Sequence, residues 1–210
     1  MFESRRRPIV FPQADHARFA GALAAAWREL PPLPYESFVR GVADHDRGYG
    51  EHDVDPIGGA MTSEHWVGIQ RRGFEPRGDD AVVDLVVALH VRRLLSPPDD
   101  EHERAACADA DEVVTRLLEL AGVSREVAEA ADLITNVCDV VSFEFCFEQP
   151  SEREIRGFRL RLDGTGNVEI DPWPFAVPRL VGLVTAFAAD DYPERLVPVV
   201  VPYSVAPPDV

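Results

Sequence analysis

The spacing of apolar residues changes once along this chain, near Gln149 and Pro150. Before this point, apolar residues recur at the three- and four-residue spacing of amphipathic helices. After it, apolar and polar residues alternate, and a glycine-containing turn at residues 163–167 separates two alternating segments. The chain therefore predicts a mainly helical protein of the α+β class.

The predicted helices cover residues 14–30, 36–45, 62–72, 79–95, 99–120 and 124–147, and the predicted strands cover residues 9–11, 156–162, 168–170, 180–188 and 196–201. We expect a helical bundle followed by a small C-terminal antiparallel β-sheet, with strand 9–11 as a candidate to join it. The length predicts a single domain, residues 1–210. Within it, we expect a helical core at about 13–148 and a β-rich portion at about 151–205.

Charge and residue usage exclude several classes of function. The formal net charge is -16, which disfavours binding to a nucleic-acid backbone. The sequence contains no lysine, which excludes a phosphate-loop lysine and a lysine Schiff base, although arginine remains available to bind anions. The three cysteines include no Cys-x-x-Cys pair, which argues against a disulfide framework and a thiolate zinc site. No apolar run is long enough to span a bilayer or to form a secretory signal, so we expect a cytoplasmic protein.

Polar residues interrupt several of the apolar helices. His45 and Asp46 are adjacent at the end of a predicted helix, and imidazole and carboxylate together suit iron, manganese or zinc. His16 lies near the start of the first predicted helix. Asp139 and His90 lie in apolar helical turns, where a polar group without a partner is costly. Convergence of these side chains on one metal site would satisfy all of them.

The order His, His-Asp, Asp along the chain resembles the HD-domain superfamily of metal-dependent phosphohydrolases. A narrower resemblance, spanning about residues 8–175, is to an uncharacterised bacterial HD-like family of unknown function. The segments that carry it are Gln-Ala-Asp-His-Ala at 13–17, Ala-Asp-His-Asp-Arg-Gly-Tyr at 43–49, Leu-His at 89–90 and Asp-Pro-Trp-Pro-Phe at 171–175.

The resemblance implies that the metal ligands are His16, His45, Asp46 and Asp139. His90 matches an extra histidine of some two-metal members, which binds a second ion or contacts the substrate, so sites with one ion and with two ions both stay open. The expected cofactor is a divalent transition metal, namely Fe, Mn or Zn. Asp44 is predicted to orient a ligand imidazole or, like His90, to shuttle protons.

The expected function is that of a hydrolase in which metal-activated water attacks a small phosphorylated or anionic substrate. Two alternatives remain: an iron-dependent HD-type oxygenase and a non-catalytic scaffold stabilised by its metal. The expected partner is a small molecule, with neither nucleic acid nor membrane, and a homodimer is one option for the assembly. We expect His52 and Asp53 at the rim of the site. Arg92 and Arg93 are expected in solvent, within reach of an anionic substrate.

Overall fold

Six α-helices and a mixed sheet make up the described part of the chain, residues 1–208 of a computed structural model. The helices are α1 (Gln13–Ala25), α2 (Tyr35–Ala43), α3 (Ser63–Phe74), α4 (Ala81–Leu94), α5 (Glu101–Ala121) and α6 (Arg125–Cys146), and a 3-10 helix at Arg47–Tyr49 follows α2. Side-chain oxygens accept backbone N–H groups at the starts of α3 to α6, from Thr62, Asp80, Asp100 and Ser124. These caps fix where the four helices begin.

Seven strands form one sheet. They are β1 (Phe2–Glu3), β2 (Ile9–Phe11), β3 (Pro150–Ile155), β4 (Phe158–Asp163), β5 (Asn167–Asp171), β6 (Leu180–Ala188) and β7 (Pro198–Ala206). Their order across the sheet is β1-β2-β6-β7-β5-β4-β3. β5 and β7 run parallel, and the other neighbouring pairs run antiparallel.

The prediction of a helical bundle with a small C-terminal antiparallel sheet is wrong. The sheet is mixed, and it includes two N-terminal strands, because β2 pairs with β6 through Ile9↔Ala188 and Val10↔Phe187. These partners are far apart in sequence, so their pairing depends on tertiary packing that local alternation does not encode. The sequence pattern also misses β3, whose polar and charged residues are mostly exposed and show no apolar alternation.

The buried apolar residues form two cores. The larger core joins α1 and α6 to the buried face of the sheet, for example through Phe19, Phe145 and Leu160. The smaller core lies among α3, α4 and α5, and Leu85 and Leu117 are part of it. Within residues 1–208, every helix is too short or too polar to serve as a membrane span.

Glycines allow α2 to approach both α1 and α4. A Cβ atom on Gly21 would lie 2.6 Å from the Cβ of Ala43, and one on Gly41 would lie 2.7 Å from the Cβ of Val86. Larger residues at either position would force the helices apart, because side-chain carbons do not approach so closely. The close packing draws together the residues on α1, at the end of α2 and on α4.

We expect Gly41→Ala to lower the free energy of unfolding by about 1–3 kcal/mol, because the added methyl group overpacks the contact between α2 and α4. Urea denaturation measures this loss. Gly68→Ala in α3 is the matched control, since its Cβ would meet a single described atom, Arg72 Nη1 at 3.9 Å. Alanine favours a helix over glycine, so the control should equal or exceed the parent in stability. Equal losses in both variants would contradict the packing argument.

Candidate metal centre

Five buried polar side chains meet between α1, α2, α4 and α6. His16 belongs to α1, His45 and Asp46 directly follow the C-terminus of α2, His90 belongs to α4, and Asp139 belongs to α6. Their exposed fractions range from 0% for His45 to 9% for Asp139. We call these five residues the His/Asp cluster. The structure thus brings the four predicted ligands together and places His90 beside them.

The four predicted ligands each present one donor atom to a common centre; we call them the donor set. His16 Nε2 lies 3.1 Å from His45 Nε2 and 3.2 Å from Asp139 Oδ1. Asp46 Oδ2 lies 3.5 Å from each of these two imidazole nitrogens. His45 Nε2 lies 3.5 Å from Asp139 Oδ1. Donors about 2.1 Å from one ion lie about 3.0 Å apart at neighbouring octahedral positions and about 3.4 Å apart in a tetrahedron, so these five distances match one central ion. His16, His45 and Asp139 form the tighter group, with all donor atoms within 4.8 Å of one another, and Asp46 joins it through its contacts with the two imidazoles.

Hydrogen-bond partners set the tautomers of the two imidazoles in the donor set. His45 Nδ1 lies 2.7 Å from the carbonyl oxygen of Val42 and must donate to it, because a carbonyl only accepts. The Ser142 hydroxyl donates to the Asp139 carbonyl at 2.9 Å, so its oxygen accepts from His16 Nδ1, also at 2.9 Å. In the neutral rings, both Nε2 atoms then carry lone pairs that face the centre.

The electrostatics of the donor set favour a positive charge at its centre. Burial lowers the pKa of His45, but the carboxylates of Asp46 and Asp139 outweigh it and raise that pKa to about 10. Burial raises the pKa of Asp46, but His45 and His90 outweigh it and hold that pKa far below its usual range. The pKa of Asp139 is likewise held low, because hydrogen bonds from His16 and His45 outweigh its burial. The two carboxylates therefore stabilise a positive charge at the centre, either a second proton on His45 or a bound metal ion.

His90 has different neighbours from the other two histidines. Its Nδ1 lies 3.0 Å from Arg93 Nη2, and its Nε2 lies 3.3 Å from Asp46 Oδ1. Among the described residues, this buried Nε2 has no hydrogen-bond partner. His45, Asp46 and His90 also form a second group whose donor atoms are close enough together to hold a metal ion. The His90 side chain therefore lies next to the donor set, and its Nε2 faces Asp46.

Sequence reasoning missed two residues that hold the cluster in place, Ser142 and Arg93. Arg93 does not lie in solvent as expected: its side chain is 17% exposed and donates to Asp132 and Asp139. Each of the two lies three residues after a cluster residue, Ser142 after Asp139 and Arg93 after His90. Residues three apart are neighbours on a helix, so this spacing could have identified both.

Three other residues singled out from the sequence lie outside the cluster. Asp44 lines a separate cavity of about 160 Å³ that no cluster residue lines. His52 packs edge-on against Phe187, and Asp53 accepts the backbone N–H of Gln13 at 2.8 Å. Within residues 1–208, no described contact links the Asp44 side chain to the cluster, so its predicted role rests on the sequence alone.

Fold and site together define an α+β protein whose helices hold a buried group of imidazoles and carboxylates. Residues 2–186 match the profile of a family described as a protein of unknown function, DUF3891, and the chain belongs to this family. No curated protein and no solved structure matches the chain. Because the family description assigns no activity, the cluster itself must support any statement about function.

Proposed function

We propose that this protein is a metal-dependent hydrolase of the HD type, with a divalent ion held by His16, His45, Asp46 and Asp139. The observation that carries the proposal is the pair of imidazole Nε2 atoms, which lie 3.1 Å apart, buried beside two carboxylates. A buried arrangement of this kind is costly without a cation. The order of these four residues along the chain, which resembles the HD superfamily, supports the same proposal.

The donor chemistry supports iron, manganese or zinc. Two imidazoles and two carboxylates, without a thiolate, suit these ions, and an octahedral ion would keep positions open for water and substrate. When bound, such an ion lowers the pKa of a water molecule towards neutrality and polarises an oxygen of the substrate.

The chain's own residues orient the donors and limit access to them. The Val42 carbonyl and the Ser142 hydroxyl fix the planes of the two ligand imidazoles, which is how outer partners usually tune a metal site. Arg93 donates to Asp139 Oδ2 at 3.3 Å, while Oδ1 of the same carboxylate faces the donor set. Burial keeps bulk water away and strengthens each of these interactions.

The exposure of the donor set supports a small substrate. Asp139 is its most exposed member, with 13% of the side chain accessible, and the two imidazoles are almost fully buried. A small phosphorylated or anionic molecule therefore fits this site better than a polymer, and the net charge of -16 further disfavours polyanions. The proposal places the activity in the cytoplasm, which the free thiols of Cys107, Cys138 and Cys146 support.

The proposal predicts that protein loaded with manganese, iron or zinc hydrolyses at least one member of a panel of small phosphoesters. His45→Ala should lower both the metal content and the rate by at least about 100-fold, since it removes a donor where the loss of an outer partner alone costs 10- to 100-fold. Mass spectrometry of bound metal and a phosphate-release assay measure the two quantities.

His65→Ala is the matched control, because this exposed histidine bonds Asp55 at 2.9 Å and lies outside the cluster. It should leave metal content and rate unchanged. Metal-loaded protein that hydrolyses nothing would point instead to the metal-stabilised scaffold. Iron-loaded protein that consumes oxygen with an organic substrate would point to the oxygenase.

A further inference from the structure

We propose that Arg93 fixes His90 as a hydrogen-bond donor towards the group bound at the donor set, and so excludes His90 as the ligand of a second ion. This inference rests on the proposed function, because it assigns a task within the same site. It goes further by fixing the number of ions at one. It also assigns a positioning role to Arg93.

The tautomer of His90 follows from the chemistry of its neighbour. A guanidinium has N–H donors and no acceptor, so the contact of 3.0 Å between Arg93 Nη2 and His90 Nδ1 requires a lone pair on Nδ1. The proton of the neutral ring then lies on Nε2.

Arg93 is itself held in place by carboxylates. Its Nη1 lies 2.5 Å from Asp132 Oδ1, and its Nη2 lies 3.3 Å from Asp139 Oδ2. Asp132 also contacts Arg156 at 3.4 Å. Because its guanidinium is anchored at both nitrogens and mostly buried, Arg93 cannot turn away from His90 without breaking an ion pair.

The group that faces Nδ1 therefore decides which ring nitrogen carries the proton in each of the three histidines. Acceptor oxygens face Nδ1 of His16 and His45, which leaves their Nε2 lone pairs for an ion. A donor faces Nδ1 of His90, which puts a proton on its Nε2. An ion at this Nε2 would move the proton to Nδ1, directly against the N–H of Arg93. This conflict disfavours a second ion between His90 and Asp46.

The protonated Nε2 of His90 lies where it can donate a hydrogen bond to a group bound at the donor set. It is buried, has no hydrogen-bond partner among the described residues and lies 3.3 Å from Asp46 Oδ1. Asp46 Oδ1 is the nearest acceptor, but this contact lacks hydrogen-bond geometry, so a better-placed acceptor would stabilise the donor. An oxygen of an anionic substrate, or a water at an open position of the ion, is such an acceptor. We therefore expect the group bound at the donor set to present an acceptor oxygen towards His90.

The test is the nitrogen-15 NMR spectrum of the histidine side chains, which distinguishes protonated, unprotonated and metal-bound ring nitrogens. With zinc as the probe, we expect His16 and His45 to carry the proton on Nδ1 and zinc on Nε2. We expect His90 to carry the proton on Nε2 and a lone pair on Nδ1, with one zinc per chain. A proton on His90 Nδ1, or two zinc ions per chain, would overturn the inference. His90→Gln assigns the signals.

This experiment separates the inference from the proposed function. If zinc leaves the rings of His16 and His45 unchanged, the metal proposal fails. The tautomer of His90, read in the same spectrum, still decides the role of Arg93.

A variant provides a second measurement. Arg93→Met removes the donor that faces Nδ1, so part of the His90 population should carry its proton on Nδ1, where Asp139 Oδ2 lies 3.5 Å away, while Asp46 Oδ1 lies 3.3 Å from Nε2. Arg92→Met is the matched control, because the Arg92 side chain is 41% exposed and pairs with Asp111. It should leave the His90 signals in place. An unchanged His90 tautomer in Arg93→Met would show that another group sets it and would overturn the positioning role. Should this variant fail to fold, the spectrum of the parent protein still decides.

Discussion

We expect a chelator that removes the proposed ion to lower the free energy of unfolding by about 3 kcal/mol or more. An ion present at 100 times its dissociation constant contributes about 2.7 kcal/mol by mass action alone. Metal-free protein also keeps the carboxylates of Asp46 and Asp139 buried with no metal ion to compensate their charge, which adds to the loss. Urea denaturation with excess metal and with excess chelator measures the difference.

Two variants make this result specific to the donor set. In His16→Ala, the two conditions should give nearly equal stabilities, because one of the four donors is missing. In His65→Ala, the full difference should remain, since His65 lies outside the cluster. A parent protein that is equally stable in metal and in chelator would remove the support for an ion at this site.

The second large effect is expected from Arg47→Met, which should lower the free energy of unfolding by about 3–5 kcal/mol because it leaves a buried charge unpaired. Arg47 pairs with Asp84 at 2.9 Å, and the two side chains are 4% and 2% exposed. Arg47 also donates to the carbonyl oxygens of Gly73 and Glu75, each at 2.9 Å. It directly follows Asp46, so we expect about tenfold weaker metal binding as well.

Two comparisons test the cause of this loss. Arg18→Met removes an arginine whose side chain is 50% exposed and pairs with Asp15 and Glu51, and it should cost at most about 1 kcal/mol. Adding Asp84→Asn to Arg47→Met should restore part of the stability, because it removes the unpaired charge. An Arg47→Met protein as stable as Arg18→Met would show that the buried pair contributes little.

The cluster could be predicted from the sequence because its residues conflict with their surroundings. His90 and Asp139 interrupt apolar helices, and a buried polar group needs a partner, so their convergence with His16 and His45 follows from local patterns. The separation of His90 from the donor set could not be predicted. It depends on Arg93: the three-residue spacing places Arg93 near His90, but only the packed structure shows that the guanidinium faces Nδ1.

The strand order of the sheet, in contrast to the cluster, could not be predicted from the sequence. The alternation at Leu180–Ala188 is visible in the sequence, but its neighbours are not. On one side β6 pairs with β2, and on the other it pairs with β7, which in turn runs parallel to β5. Such pairings join strands that are far apart in the chain, and they depend on how the sheet packs onto α1 and α6. The local sequence pattern therefore predicts the strand, but the partners of this strand depend on tertiary packing.

The most direct test of the metal centre is anomalous X-ray diffraction from crystals of the protein grown with manganese or zinc. The account predicts one anomalous peak bonded to Nε2 of His16, Nε2 of His45 and one oxygen of each carboxylate, at about 2.0–2.2 Å. His90 should lie outside bonding distance of the ion. Crystals soaked in metal that show no peak among these four residues would contradict the account.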